Sequence, residues 1–163
     1  MFYFAYGSNM SSRRIANRIP SALLLGCGRL NGHQLRFHKV SKDGSAKCNV
    51  LDTDHPDHFV LGVIYKISPE HKQQLDLLEG LGQGYETKTV DIKMETGLTQ
   101  SGFVYFASRI DCSLKPYDWY KQHVLIGANE HDFPESYISK IESVEAMPDK
   151  DEPRASRELA IYG

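Results

Sequence analysis

Residues 2–10 read Phe-Tyr-Phe-Ala-Tyr-Gly-Ser-Asn-Met, and this stretch decides the fold. Its first part, Phe2 to Ala5, is short and rich in aromatic residues, which is typical of a buried strand. Tyr6-Gly7-Ser8-Asn9 contains three residues that favour turns. Ser11 or Ser12 can then cap a helix over residues 13–19, which Pro20 ends. The stretch therefore predicts a strand, a tight loop and a helix, in that order.

A strand, a tight loop and a helix in succession can form an anion site. The order directs backbone N–H groups and the positive end of a helix dipole at one small volume. That volume suits a carboxylate, a phosphate or a developing oxyanion. The alternative is an ordinary turn between a strand and a helix, with no ligand.

Length and composition describe an ordinary globular chain. The 163 residues are enough for one domain with a sizeable core, and 40% are hydrophobic and 25% charged. We expect a single domain over residues 1–163, with a polar C-terminal tail at 147–163. The net charge of −2 gives no basic field for nucleic acid or anionic lipid. The pair Arg13-Arg14 is expected to lie on a solvated helix face.

Targeting and redox signals favour a cytoplasmic protein. No apolar run approaches the roughly 20 residues that cross a bilayer, and the N-terminus lacks the pattern of a signal peptide. Cys27, Cys48 and Cys112 are widely spaced and form no CxxC pair, so we expect reduced, mostly buried thiols. No cofactor motif is present. The mixed acids and histidines at 54–58 are interrupted by Pro56 and predict a solvated turn rather than a metal site.

The hydrophobic pattern predicts an α+β fold with a mostly antiparallel sheet that can close into a barrel. Further strands are expected at 33–40, 46–51, 59–67, 85–94 and 102–107, with an apolar run at 22–25 that the glycines of 26–28 end. Helices are expected at 69–79, from Pro116 until Gly127 disrupts the end, and after Pro134.

Glu79 is the second candidate for function. It lies four residues after Leu75, on the face that Leu75 and Leu78 mark as apolar, so its carboxyl is expected to lean toward the core. Burial and the negative end of the helix dipole would favour the protonated acid, which suits proton transfer near neutral pH. The alternative is a solvated acid at a helix end, with Gly80 as a plain C-cap.

Two motifs about 70 residues apart carry a family resemblance. They are Tyr6-Gly7-Ser8-Asn9-Met10 and Leu78-Glu79-Gly80, the second followed by Tyr85. Together they resemble the first-strand YGSN loop and the catalytic-glutamate segment of the γ-glutamylcyclotransferase family. The match of the YGSN loop alone is only moderately specific, and the second motif makes the resemblance much stronger.

Two tyrosines extend the resemblance. Tyr105 resembles a strand tyrosine that lines the family's pocket, and Tyr120, seven residues before Gly127-Ala128, resembles the second one. Tyr117 lies close enough to Tyr120 to be an alternative. Glu130 and Pro134 continue the pattern, and the likeness extends from about residue 2 to residue 141.

The resemblance implies a small β-barrel flanked by helices, with the pocket at one end. It also implies an enzyme that releases 5-oxoproline from a γ-glutamyl amino acid or amine, without cofactor or metal. Glu79 would be the catalytic acid and base. The implied substrate-binding residues are Tyr6, Gly7, Ser8, Asn9, Met10, Tyr85, Tyr105 and Tyr120.

The implied reaction requires the loop to face Glu79 across a cavity about the size of glutamate. The N–H groups of Gly7, Ser8 and Asn9 would hold either the oxyanion or the substrate carboxylate. Tyr105 and Tyr120 would orient substrate through their hydroxyls, unless they are core tyrosines. The expected partner is a small γ-glutamyl compound, with a homodimer possible and no nucleic acid or membrane.

Two other functions are compatible with parts of the sequence. A non-catalytic ligand-binding or regulatory protein could keep the same pocket, but a carboxylate binder gains nothing from an acid in its site. Ser8 could be an acyl-enzyme nucleophile, but no GxSxG elbow surrounds it.

Overall fold

The computed structural model describes residues 1–163, which form seven strands, five α-helices and two short 3-10 helices. The strands are β1 (Phe2–Ala5), β2 (Leu23–Asn31), β3 (His33–Val40), β4 (Ala46–Asp52), β5 (Phe59–Lys66), β6 (Tyr85–Met94) and β7 (Thr99–Ala107). The α-helices are α1 (Ser12–Arg18), α2 (Pro69–Glu79), α3 (Asp118–Glu130), α4 (Glu135–Glu142) and α5 (Glu152–Leu159). The 3-10 helices are Ser8–Met10 and Ala160–Tyr162.

Five strands close into a barrel in the order β1-β5-β2-β6-β7. Neighbouring strands are antiparallel except at the closure, where β1 and β7 pair in parallel through Tyr3 and Phe103. Closure leaves no unpaired sheet edge. The predicted α+β class and mostly antiparallel barrel are confirmed.

β1 occupies the centre of the structure because its aromatic residues are buried on every side. Phe4 and Ala5 have no exposed surface, and Tyr3 stacks on Phe103. The chain leaves β1 through Tyr6-Gly7, turns in the first 3-10 helix and enters α1. Ser11 caps α1 by accepting a hydrogen bond from the Arg14 N–H, as the sequence predicts.

β3 and β4 form a separate two-stranded ribbon outside the barrel. The ribbon is held to β7 by the Asn49 side chain, whose Oδ1 accepts a hydrogen bond from the Ala107 N–H at 2.7 Å. It is held to α3 and β6 by the backbone of Cys48, which bonds the hydroxyls of Tyr120 and Tyr85. The ribbon therefore covers one side of the barrel, held by these polar contacts and by the side chains of Cys48 and Val50, which belong to the hydrophobic core.

The C-terminal segment folds back onto the N-terminal helix. Glu158 on α5 pairs with Arg14 on α1 at 2.7 Å, and Tyr162 bonds both Ser11 and His123. The prediction of a solvated Arg13-Arg14 pair is wrong for Arg14, whose side chain is only 13% exposed because Glu158 draws it inward.

Two glycine predictions are also wrong. β2 continues through Gly26-Cys27-Gly28, because a bulge with Gly26 at φ +145° keeps the strand paired with β5. Gly127 lies inside α3 rather than ending it. The reason is a close approach, since a Cβ at Gly127 would lie 2.6 Å from both the Met10 Cβ and the Ser11 nitrogen.

The thiols differ from the expectation at one position. Cys48 is buried and Cys27 half-buried, but Cys112 is exposed in the loop after β7. None of the five helices has the length and apolar composition that a membrane crossing requires.

Candidate active site

The loop after β1 meets the C-terminal end of α2. Pro69 begins α2, Leu75 is fully buried on its inner face, and Gly80 ends it in the left-handed conformation at φ +73°. Glu79 is the last residue of the helix and lies four positions after Leu75, so it points the same way. Its side chain is 16% exposed.

Glu79 is held by two donors from different elements. Arg18 Nη1 donates to Glu79 Oε1 at 2.6 Å, and Asn9 Nδ2 donates to the same oxygen at 3.0 Å. No protein donor contacts Oε2. No pattern in the sequence indicated this counter-ion, because Arg18 lies 61 residues away from Glu79 in the chain.

Asn9 is oriented by three neighbours at once. Its Oδ1 accepts a hydrogen bond from Arg18 Nη1 at 2.8 Å, and its Nδ2 donates to the Tyr3 hydroxyl at 3.0 Å as well as to Glu79. The amide can satisfy these bonds in only one orientation. The side chain of Asn9 therefore positions Glu79 and Arg18.

Arg18 connects α1 to the end of α2. Its Nη2 also contacts the Leu78 carbonyl at 3.4 Å, and its own carbonyl accepts a hydrogen bond from Gln74 at 2.9 Å. Burial opposes the charge of Arg18, but the neighbouring Glu79 carboxylate outweighs it, and the pKa of Arg18 is raised. Arg18 is thus held as a cation beside Glu79.

The loop itself presents free donors. The Gly7 N–H has no backbone or side-chain acceptor, and the Ser8 hydroxyl has no hydrogen-bond partner although Ser8 is buried. A Cβ at Gly7 would come within 3.0 Å of the Cys48 Cβ, so only glycine fits there without a shift of the ribbon. The loop is therefore a buried cluster of unused donors beside Glu79.

The predicted tyrosines surround the same space, but most of their hydroxyls are already engaged. Tyr6 donates to the Tyr105 carbonyl at 2.6 Å, Tyr105 donates to Asp76 at 2.6 Å, and Tyr85 donates to the Cys48 carbonyl. These three are bound within the core.

Two other hydroxyls still have a proton to give. Tyr120 accepts from the Cys48 N–H at 3.0 Å, and Tyr3 accepts from Asn9. Burial raises the pKa of both Tyr3 and Tyr120, so their hydroxyls stay protonated and can donate. Tyr117, the alternative to Tyr120, lies outside the site and donates to the Asp43 carbonyl at 2.9 Å.

One small cavity joins these groups. It has a volume of about 20 Å³ and is lined by Tyr3, Tyr6, Gly7, Ser8, Asn9, Cys48, Glu79, Tyr85, Tyr105 and Tyr120. This is room for about one water molecule, much less than the glutamate-sized space the sequence argument required. The structure brings all the predicted site residues together except Met10, whose fully buried side chain lies beneath the loop against α3.

Three residues of the site were missed from the sequence. Arg18 ends an ordinary polar helix, Tyr3 lies within the aromatic strand, and Cys48 comes from the ribbon. Only Tyr3 had a signal, because it alternates with Ala5 on a strand that leads directly into the loop. Burial raises the pKa of Cys48 to about 12, so its thiol is a neutral wall residue rather than a nucleophile.

Comparison with known proteins gives this site its context. Residues 59–141 match the model of the AIG2-like family. A γ-glutamylcyclotransferase of Bos taurus is 30% identical over 153 residues, which cover 88% of this chain and 78% of that protein. A γ-glutamylcyclotransferase of Homo sapiens is 29% identical with the same coverage.

The solved structures agree with the sequence relatives. A γ-glutamyl cyclotransferase structure superposes with a TM-score of 0.82 at 26% identity and covers 96% of this chain and 98% of its own. The sequence match, the barrel and the cavity between the loop and α2 thus point to the same group of proteins. This chain belongs to the γ-glutamylcyclotransferase family of enzymes, within the AIG2-like group.

Proposed function

We propose that residues 1–163 act as one domain that converts a small γ-glutamyl compound to 5-oxoproline and a free amine or amino acid. The observation that carries this proposal is that Glu79 faces the Gly7-Ser8 loop across one cavity while Asn9 and Arg18 hold its Oε1 atom in place. The names of the relatives in the family support the same reaction.

The reaction is an intramolecular acyl transfer. The α-amine of the γ-glutamyl group attacks its own γ-carbonyl carbon, so that a ring C–N bond forms and the amide C–N bond breaks. Because the two reacting groups belong to one molecule, the enzyme needs mainly to hold the chain in a ring-closing pose. Effective molarities for such oriented reactions reach ~10⁵ M or more.

Glu79 is the proposed acid and base. The attacking amine must lose a proton, and the leaving nitrogen must gain one before it can depart. The free Oε2 atom accepts the first proton and returns it to the leaving nitrogen, so the carboxylate ends the cycle unchanged. Arg18 and Asn9 hold Oε1, which aims Oε2 at the substrate.

The loop and the free hydroxyls supply the remaining interactions. The Gly7 N–H and the Ser8 hydroxyl are donors without protein partners, and each oxyanion donor is worth about 3 kcal/mol in comparable sites. They serve either the tetrahedral oxyanion or the α-carboxylate of the substrate. The hydroxyls of Tyr3 and Tyr120 can donate to whichever of these groups the loop leaves free.

Substrate entry requires the cavity to widen from about 20 Å³. Of the ten lining residues, only Cys48 belongs to the ribbon outside the barrel. We therefore assign the opening movement to the β3–β4 ribbon, since displacing it leaves the barrel closed. The movement must break the hydrogen bonds of Cys48 to Tyr120 and Tyr85 and that of Asn49 to Ala107, and it uncovers the buried side chains of the ribbon.

The proposal is tested by incubating the protein with γ-glutamyl-alanine and detecting 5-oxoproline and alanine by mass spectrometry. We expect turnover by the wild-type protein and by Glu70→Gln, which removes an acid from the first turn of the same helix. Glu79→Gln should give none above background while keeping its circular dichroism spectrum. Binding of 5-oxoproline without turnover of any γ-glutamyl donor would instead favour a non-catalytic binding protein.

A further inference from the structure

Two lysines lie opposite each other on the β3–β4 ribbon, and only one of them has an anion. Lys39 on β3 pairs in register with Lys47 on β4. Lys47 donates to Asp43 at 2.8 Å and to the Ser45 hydroxyl at 2.7 Å. The Lys39 amine has no hydrogen bond and no ion pair, although Lys39 is only 8% exposed.

Lys39 lies directly against the wall of the candidate active site. Its Nζ is 4.5 Å from the centre of the Tyr85 ring, and Tyr85 lines the cavity. A Cβ at Gly84 would come within 3.3 Å of the same nitrogen, so the amine occupies space that the glycine leaves open. The cation–π contact with Tyr85 is weaker than a carboxylate partner would be.

The nearby carboxylates cannot serve as that partner. Burial lowers the pKa of Lys39, and the negative charges of Glu79 and Asp43 act against this fall. Both carboxylates already have their own cations, because Glu79 is paired with Arg18 and Asp43 with Lys47. Lys39 is thus a largely buried lysine whose amine has no anionic partner of its own in the protein.

Two further cations surround an open cleft next to Lys39. Lys42 and Arg109 add to the lowering of the Lys39 pKa, and neither forms an ion pair. They line a cleft of about 480 Å³ together with Val40, Ser41, Gly82 and Gln83. Lys39 itself does not line the cleft, but Val40, the next residue along β3, and Gln83, the residue before Gly84, do. The cleft is large enough for an amino acid or a short peptide.

We propose that Lys39 binds a carboxylate of the substrate's leaving group, which extends from the cavity into the cleft with Lys42 and Arg109. The inference rests on the proposed function and narrows its substrate class. The Lys39 amine has no protein acceptor, so an anion that reaches it gains a charge-assisted hydrogen bond without displacing another partner. A γ-glutamyl amino acid or peptide brings such an anion on its amine side, whereas a γ-glutamyl alkylamine brings none.

The test uses two substrates that differ by one carboxylate, γ-glutamyl-alanine and γ-glutamyl-ethylamide. For Lys39→Met, kcat/KM with γ-glutamyl-alanine should fall by roughly 10- to 100-fold, the value of one hydrogen bond to a charged group. With γ-glutamyl-ethylamide it should change less than about threefold. Lys39→Arg should recover part of the preference. The control, Lys115→Met, removes a half-exposed lysine paired with Glu145 and should alter neither substrate.

Each outcome decides the matter. Equal losses on both substrates would mean that Lys39 has a structural role or holds the glutamyl carboxylate, and the proposal would be wrong. The proposal would also be wrong if the Lys39→Met variant lost activity on neither substrate. If the Met variant fails to fold by circular dichroism, Lys39→Gln and Lys39→Arg take its place. If the wild-type protein turns over neither compound, the proposed function fails instead. Calorimetric binding of the two compounds to wild type and Lys39→Met then tests the carboxylate preference alone.

Discussion

Two arginine–glutamate pairs begin on the same helix, one turn apart, and they do different work. Arg18 and Glu79 meet at 2.6 Å, and Arg14 and Glu158 meet at 2.7 Å. In both pairs the guanidinium is less than a fifth exposed. The distance, the chemistry and the burial of the arginine therefore do not distinguish the two pairs.

The surroundings of the two carboxylates do distinguish them. Glu79 lines the tyrosine cavity, and both of its bonds end on one oxygen. Glu158 is about twice as exposed, at 31%, and joins Arg14 to the buried His123 and so to the C-terminal segment. We therefore propose different roles for the two pairs: a catalytic one for Glu79, which has a cavity beside its carboxylate, and a stabilising one for Glu158, whose partners are other parts of the fold.

The proposed difference between the two pairs is tested most directly by replacing each glutamate with glutamine in a separate variant. We expect Glu79→Gln to reduce kcat by about 10³-fold or more, because it removes the proposed acid and base. Glu158→Gln should leave kcat within about threefold, because its carboxylate lies away from the cavity. Steady-state assays with γ-glutamyl-alanine measure both. Comparable losses in the two variants would show that the cavity does not define the functional pair.

Conservative changes of the two arginines test the geometry of each pair. Arg18→Lys keeps the charge but cannot bond Asn9, Glu79 and the Leu78 carbonyl together, so kcat should fall by about 10- to 100-fold. KM should change much less, because Arg18 does not line the cavity. Arg14→Lys should change neither constant. An unchanged kcat in Arg18→Lys would limit Arg18 to a structural role.

The stability role of Glu158 predicts a pH dependence. Hydrogen bonding from His123 and the charge of Arg14 lower the pKa of Glu158 to about 2, against the effect of burial. A carboxyl with a lowered pKa in the folded state stabilises it above the unfolded value, and this contribution is lost as pH falls from about 4.3 to about 2. Glu158→Gln should cost about 1–2 kcal/mol at pH 7 by urea denaturation.

The same denaturation curves, repeated at lower pH, contain the control for this prediction. The gap between wild type and Glu158→Gln should close by about pH 2, where the wild-type carboxyl is also protonated. A gap of constant size would assign the loss to packing of α5 rather than to the ion pair.

The smallest effect is expected at Tyr162, which contacts His123 on the side away from Glu158. Tyr162 bonds His123 Nδ1 at 2.7 Å and the Ser11 hydroxyl at 3.0 Å. Tyr162→Phe should lower the free energy of unfolding by about 1 kcal/mol and leave kcat within twofold. A larger loss of activity than of stability would link the C-terminal segment to the site.

Local sequence patterns predicted most of the fold. β1 was predicted with its observed ends because an aromatic run meets a turn, and α2 because Ser68-Pro69 and Gly80 are strong start and stop signals. The loop and Glu79 were also identified, since both depend on short motifs. These features are set by neighbours in the chain.

What the sequence could not predict depends on distant contacts. Nothing local tells which arginine of α1 turns inward; Arg13 is exposed, whereas Arg14 and Arg18 each meet an acid more than 60 residues away. The role of the last 17 residues was equally hidden, because their few apolar side chains gain a partner only when α5 reaches α1. The small closed cavity likewise follows from where the ribbon lies, not from any motif.

The contact at Gly127 has a consequence for anyone who reshapes this pocket. A Cβ atom at position 127 would lie only 2.6 Å from the Ser11 nitrogen, so α3 packs directly under the loop and leaves no space there. A side chain added on this floor would displace Asn9 and with it Glu79, whereas on the ribbon side the cavity is bounded by Cys48 alone. An engineer seeking room for bulkier amines should therefore trim Cys48 or its neighbours and leave the helix beneath untouched.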